Sequence, residues 1–150
     1  METFKYCPEI PLPPQELCDI TIEEILAIEN KFRPNPQGDG RFYTVHNAKP
    51  ELIEWARGVF DIEPLAVRYQ VIRNGISIHT DIKREWCYNF ILNGANGITE
   101  FYLPDKTTLI NSVKIEERRW HWMNNSVHHT VSNVEGYRYA ITVFQDKKIK

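Results

Sequence analysis

From Pro64 onward the chain is cut at short intervals by turn-forming pairs: Asn74-Gly75, Asn93-Gly94, Asn96-Gly97, Pro104-Asp105, Asn124-Asn125 and Glu135-Gly136. Asparagine and glycine tolerate the positive φ of tight turns, and proline cannot continue a hydrogen-bonded ladder, so long elements do not fit between them. Short strands do. The runs 65–72, 76–81, 86–92, 98–103, 108–115, 120–123, 128–132 and 137–144 are rich in β-branched and aromatic residues and are expected to be strands. Eight short strands at this spacing predict a double-sheet jelly roll, the double-stranded β-helix.

The first 64 residues read differently. Pro8, Pro11, Pro13 and Pro14 fix φ and remove donors, so residues 1–20 are expected to run extended along the surface or a sheet edge, without helix. Residues 21–32 predict a helix capped by Asp19 or Thr21, with Ile22, Ile25, Leu26 and Ile28 near one face and Pro34 and Pro36 ending it. Residues 35–40 are a loop by composition. A second helix is expected over 48–60. Asn47 would be its cap, Pro50 lies in its first turn, and Leu52, Trp55, Ala56 and Val59 recur at helical spacing. Packing both helices on the outside of one sheet gives an α+β fold, mostly β. The expected organisation is one domain over 1–150, with an extended and helical part at 1–64 and a jelly-roll core at 65–145.

At 150 residues, 42% hydrophobic and 25% charged, the chain has ordinary globular composition, which argues against disorder and collagen-like structure. The net charge of −2 and pI near 6.2 disfavour nucleic-acid binding through bulk electrostatics, leaving only a local basic groove open. No apolar run approaches membrane-spanning length, and the N-terminus lacks a basic region followed by an apolar core, so a soluble, cytoplasmic protein is expected, with no membrane partner. Cys7, Cys18 and Cys87 are an odd number without metal-binding spacing and read as reduced thiols.

Chemistry concentrates at His79-Thr80-Asp81 and at His128-His129. In a strand, residues i and i+2 share a face, so His79 and Asp81 can present an imidazole and a carboxylate together. By itself such a triplet is also what a surface strand end can carry. One more imidazole would complete a two-histidine, one-carboxylate set that leaves other positions of the metal open, as suits a non-haem Fe(II) oxygenase. Adjacent strand residues face opposite ways, so only one of His128 and His129 can enter such a site. Further on, alternation sends Arg138, Ala140 and Thr142 to one face and Tyr139, Ile141 and Val143 to the other. A guanidinium fork is suited to bidentate carboxylate recognition, and Thr142 can add a hydrogen bond. The plain alternative is a surface arginine paired with Glu135 or Glu100. His121, between Trp120 and Trp122, reads as a buried core histidine, and Trp86, Trp120, Trp122 and Phe101 as core aromatics.

These features over residues 68–145, His79-x-Asp81, His129-x-Val131 and Arg138-Tyr-Ala-Ile-Thr-Val, resemble the 2-oxoglutarate and Fe(II)-dependent dioxygenases, in particular the prolyl-hydroxylase-like branch. The resemblance implies Fe(II) held by His79, Asp81 and His129. His129 is favoured over His128 because it is followed by x-Val and then, nine residues on, by the arginine. Arg138 and Thr142 would bind the distal carboxylate of 2-oxoglutarate. Tyr88 would complete that pocket, and Tyr69, ten residues before His79 across an Asn-Gly turn, matches the family's Tyr-turn-HxD layout. The implied activity uses dioxygen, decarboxylates 2-oxoglutarate and hydroxylates a C–H bond, with a protein side chain such as proline as the leading substrate. A small molecule or nucleobase is the second enzymatic possibility, and a non-catalytic metal-binding jelly roll is the reading from another class. The Arg33–Arg41 loop and the Lys83-Arg84 turn are the expected substrate-recognition segments. Oligomeric state has no signal in the sequence.

Overall fold

The computed structural model describes residues 2–28, 41–81 and 84–147. In chain order these form β1 (Phe4–Tyr6), α1 (Gln15–Cys18), α2 (Ile22–Ala27), β2 (Phe42–Asn47), α3 (Pro50–Val59), β3 (Leu65–Arg73), β4 (Ile76–His79), β5 (Trp86–Asn93), β6 (Ile98–Tyr102), β7 (Leu109–Val113), β8 (Trp120–Asn124), β9 (His128–Ser132) and β10 (Tyr137–Gln145). The strands make two antiparallel sheets, β1-β8-β5-β10-β3-β2 and β4-β9-β6-β7, the jelly-roll layering expected. All eight strands expected after Pro64 form.

The six-stranded sheet separates two environments. One face carries Val67, Tyr69 and Val71 of β3, Phe90 and Leu92 of β5, Trp120 of β8, and Ile141 and Val143 of β10. These pack with Ile25 of α2 and Leu52 and Ala56 of α3 in one buried cluster. The other face turns Ile72, Cys87, Ile91, Met123 and Ala140 toward the four-stranded sheet, where Phe101, Ile76 and Val131 meet them. Period-2 alternation on β10 puts apolar side chains on the helix side and Arg138 and Thr142 between the sheets. Full burial of a Val, Leu or Phe contributes roughly 1.5–3 kcal/mol, so the helix-side cluster fixes which face of each strand points at the interior.

The crossing between sheets is a turn in which Asn74 (φ 60°) and Gly75 (φ 115°) both take positive φ. A Cβ on Gly75 would lie 2.7 Å from the Val131 carbonyl oxygen, closer than van der Waals contact allows, so only glycine lets β4 leave the turn beside β9.

Three expectations need correction. Residues 1–20 are not wholly extended: β1 pairs with β8, Phe4 opposite Met123, and α1 follows. Pro14 stands at its N-cap, so every proline precedes the turn it would otherwise break. The 21–32 helix is described only to Ala27. Thr21 caps it in a reciprocal box with Glu24, as sequence suggested, but Ile28 is extended and its carbonyl accepts a hydrogen bond from His46 Nδ1 at 3.0 Å. Residues 29–32 and the prolines beyond lie outside the described set. The 48–60 helix begins at Pro50 with Lys49 as its N-cap, because Asn47 belongs to β2, an edge strand paired with β3 that sequence reading missed. Cys7, Cys18 and Cys87 are unpaired thiols, all buried. Among the described residues, no helix is long and apolar enough to cross a membrane.

Candidate metal centre

β4 and β9 are neighbours in the smaller sheet, and their register places His79 directly opposite His129. The two rings lie 4.3 Å apart between centroids. Asp81 lies just beyond β4, where its backbone N–H donates to the Asn125 carbonyl at 3.0 Å. One ligand atom from each of His79, Asp81 and His129 can be chosen so that all lie within 4.8 Å of one another, with His129 Nε2 3.9 Å from Asp81 Oδ2.

Both imidazoles are oriented in the same manner. His79 Nδ1 meets the Ser77 carbonyl at 2.7 Å, and His129 Nδ1 meets the Val127 carbonyl at 2.7 Å. A carbonyl only accepts, so each Nδ1 carries a proton, and Nε2 is the ring atom left for a metal, the outer-shell arrangement that readies histidine for one. Burial first, and the neighbouring His79 second, push His129 down to about 4, so its imidazole is neutral at neutral pH. The donor set fits a divalent ion. Bonds of about 2.0–2.2 Å would draw these atoms closer by small side-chain rotations. Arg84 contributes from outside, with Nη2 3.8 Å from Asp81 Oδ2; Nη2 also donates to Tyr43 Oη at 3.1 Å, and the guanidinium stacks over Phe144 at 4.9 Å.

Arg138 lines the same cleft as the three candidate ligands. Its side chain is buried, 7% exposed, and burial pulls the guanidinium down to about 10. It pairs with neither anticipated carboxylate: Glu135 accepts from Asn96, and Glu100 accepts from Ser132 and Tyr102. Its stem is held by close approach of Gly97, where a Cβ would come within 3.1 Å of Arg138 Cδ. Thr142 is completely buried with Oγ1 unpartnered. A buried cation without a counter-charge and a buried hydroxyl without a partner are costly unless an acceptor joins them. Their chemistry fits a carboxylate. The enclosed part of the cleft holds about 20 Å³, room for about one water, so a larger ligand would require its side chains to rotate.

Tyr69 and Tyr88 do not join this site. Tyr69 alternates with Gln70 and Ile72, which face the cleft, and so points to the helix side, where its hydroxyl accepts weakly from Lys49 N–H at 3.5 Å. Tyr88 likewise alternates with Cys87 and Asn89 and packs on Phe60, 5.5 Å between ring centroids. Strand parity excludes both from the interior. His128, half-buried, sits opposite Tyr102 of β6. Sequence reading missed Asn89, Gln70 and Asn125, which line the cleft. Asn89 was visible as one polar residue in the apolar run 86–92. Of the expected recognition segments, residues 33–40 and Lys83 lie outside the described residues.

Fold and site together define a double-sheeted jelly roll with a His-Asp-His cluster between its sheets. No family model matches the chain, and no curated protein matches its sequence. Solved structures do. A prolyl-4-hydroxylase from Pseudomonas putida superposes with a TM-score of 0.59 at 13% identity, covering 97% of this chain and 93% of that one. Oxalate decarboxylase from Bacillus subtilis, an enzyme with Mn(II) centres, gives 0.51 at 8% identity over 84% of this chain. This chain spans about 30% of the length of that enzyme. At such identities the likeness is one of fold.

Proposed function

We propose that this protein is an Fe(II)- and 2-oxoglutarate-dependent dioxygenase that hydroxylates a C–H bond of a protein side chain, with proline the leading candidate. The observation that carries this reading is the buried Arg138 guanidinium, with no carboxylate partner among the described residues, in the same cleft as His79, Asp81 and His129. A structural metal site in a jelly roll has no use for a second, anion-seeking group beside it, whereas a metal enzyme with a dicarboxylate co-substrate needs one. The full-length likeness to a prolyl-4-hydroxylase supports the choice of substrate class.

In this reading His79 and His129 would present neutral Nε2 atoms and Asp81 a carboxylate, leaving the remaining positions of the metal open. Arg84 would hold Asp81 against rotation. Arg138 and Thr142 would bind and orient the distal carboxylate, and the apolar flank of Ile72, Ile76 and Val131 would exclude water. Fe(II) bound there, with 2-oxoglutarate and dioxygen, supplies oxidation of an unactivated C–H bond, with succinate and carbon dioxide as coproducts.

The test is spectroscopic. Anaerobic addition of Fe(II) and 2-oxoglutarate is expected to give a weak visible charge-transfer band that Asp81→Ala abolishes. No band in the wild type, or an undiminished band in the variant, would overturn the proposal.

A further inference from the structure

The interior face of the larger sheet carries a polar row where a jelly-roll core would otherwise be apolar. Across β8, β5 and β10 the register sets His121 opposite Asn89 and Asn89 opposite Thr142. All three are buried, and His121 and Thr142 are completely so. His121 shares its strand face with Met123, which lines the cleft. Trp120 points to the helix side.

Hydrogen bonds along this row give it a direction. The Cys87 thiol donates to Asn89 Oδ1 at 3.4 Å, which sets the amide so that Nδ2 faces His121 Nε2 at 3.4 Å and Met123 Sδ at 3.9 Å. An amide nitrogen only donates, so His121 Nε2 accepts and the imidazole proton resides on Nδ1. That atom has no partner. Burial and, next, the nearby Arg138 hold the ring neutral, down to about 3. The row therefore carries a buried N–H without an acceptor at His121 Nδ1 and, on the far side of Asn89, a buried hydroxyl without a partner at Thr142, while the Arg138 charge lies near enough to act on the His121 ring. Unmet buried donors at His121, Thr142 and Asn125, the last lining the same cleft as the Arg138 guanidinium, call for an anion.

We infer that His121 is a recognition residue for the distal carboxylate of the dicarboxylate co-substrate, donating from Nδ1 in concert with Arg138 and Thr142. This rests on the proposed function for the identity of the ligand. It assigns to His121 the hydrogen bond that sequence reasoning expected from Tyr88, and it makes Asn89 and Cys87 the residues that position the ring by fixing its tautomer.

The test combines calorimetry and nitrogen NMR on the full chain. 2-Oxoglutarate would be titrated into Mn(II)-loaded wild type, His121→Leu and His121→Asn, whose amide can place a donor near the Nδ1 position. Losing one buried hydrogen bond to a charged group predicts a roughly ten- to hundredfold weaker dissociation constant for His121→Leu. Mn(II) affinity should be unchanged, and His121→Asn should recover most of the loss. In ¹⁵N-histidine-labelled wild type loaded with Zn(II), the His121 Nδ1–H resonance should move on adding 2-oxoglutarate and stay fixed with acetate at equal concentration. If wild type binds 2-oxoglutarate but the resonance stays put and His121→Leu binds equally well, the role of His121 is wrong and the proposed function stands. If wild type does not bind 2-oxoglutarate at all, both fall. The NMR arm needs no variant to fold.

Discussion

His79 and His129 face each other across the β4–β9 pair, 4.3 Å between ring centroids, and each donates a hydrogen bond from Nδ1–H to the carbonyl two residues back. With Nδ1 of each ring so engaged, Nε2 is the atom left to face a metal at the His79, Asp81 and His129 cluster. Replacing either by alanine should weaken Mn(II) binding by more than the ten- to hundredfold typical of losing an outer-shell contact to a ligand. His128→Ala, its neighbour facing the other way, should leave it nearly intact. Calorimetric Mn(II) titration separates the two outcomes, and a loss confined to His128→Ala would reverse the assignment.

Gly97 is expected to matter to the anion and not to the metal. A methyl group there would meet Arg138 Cδ at 3.1 Å, the Gly94 carbonyl at 3.1 Å and Val131 Cγ1 at 3.3 Å, so the arginine stem must shift. Gly97→Ala should weaken 2-oxoglutarate binding by about tenfold, the effect of roughly 1.4 kcal/mol, with Mn(II) affinity preserved.

Tyr69→Phe and Tyr88→Phe should leave 2-oxoglutarate affinity unchanged, because both rings lie on the helix side of the sheet. The long Lys49 contact of Tyr69 makes its loss worth under about 1 kcal/mol of stability in urea titration. A marked fall in co-substrate affinity in either variant would contradict the observed strand parity.

Acid should destabilise the metal-free protein partly through His121. Its folded-state pKa of about 3 lies below the ordinary 6.5, so between those values the unfolded chain binds the extra proton. Stability therefore falls as pH drops through that window, by up to about 1.4 kcal/mol per pH unit from this group. Urea midpoints measured from pH 7 to 4 should show a shallower decline in His121→Asn than in wild type.

The strands after Pro64 were legible because turn dipeptides bound them and alternation fills them; His79-x-Asp81 was legible as a donor pair, but β4 ends at His79 and Asp81 is held beyond it by its N–H bond to the Asn125 carbonyl rather than by the strand period. β1 and α1 were not: three and four residues long, they exist through pairing with β8 and packing under the sheet, which no local pattern records. β2 was hidden by the reading of Asn47 as a helix cap. The two misplaced tyrosines share one cause. Sequence gives the alternation within β3 and β5 but not their register against β10, and that register decides which parity faces Arg138. His121 and Asn89 meet across 32 residues of chain, and only the same register brings them together.

The most direct measurement is 2-oxoglutarate affinity in Arg138→Met with Mn(II) as a redox-silent stand-in for iron. Methionine keeps apolar length and removes the fork, so a buried carboxylate would lose its charged partner, at a cost of roughly 3 to 5 kcal/mol. The predicted result is a loss of about two to three orders of magnitude in 2-oxoglutarate affinity with Mn(II) binding retained. Equal affinity in the variant and the wild type would contradict a dicarboxylate co-substrate at this site and leave a metal-binding jelly roll with some other ligand.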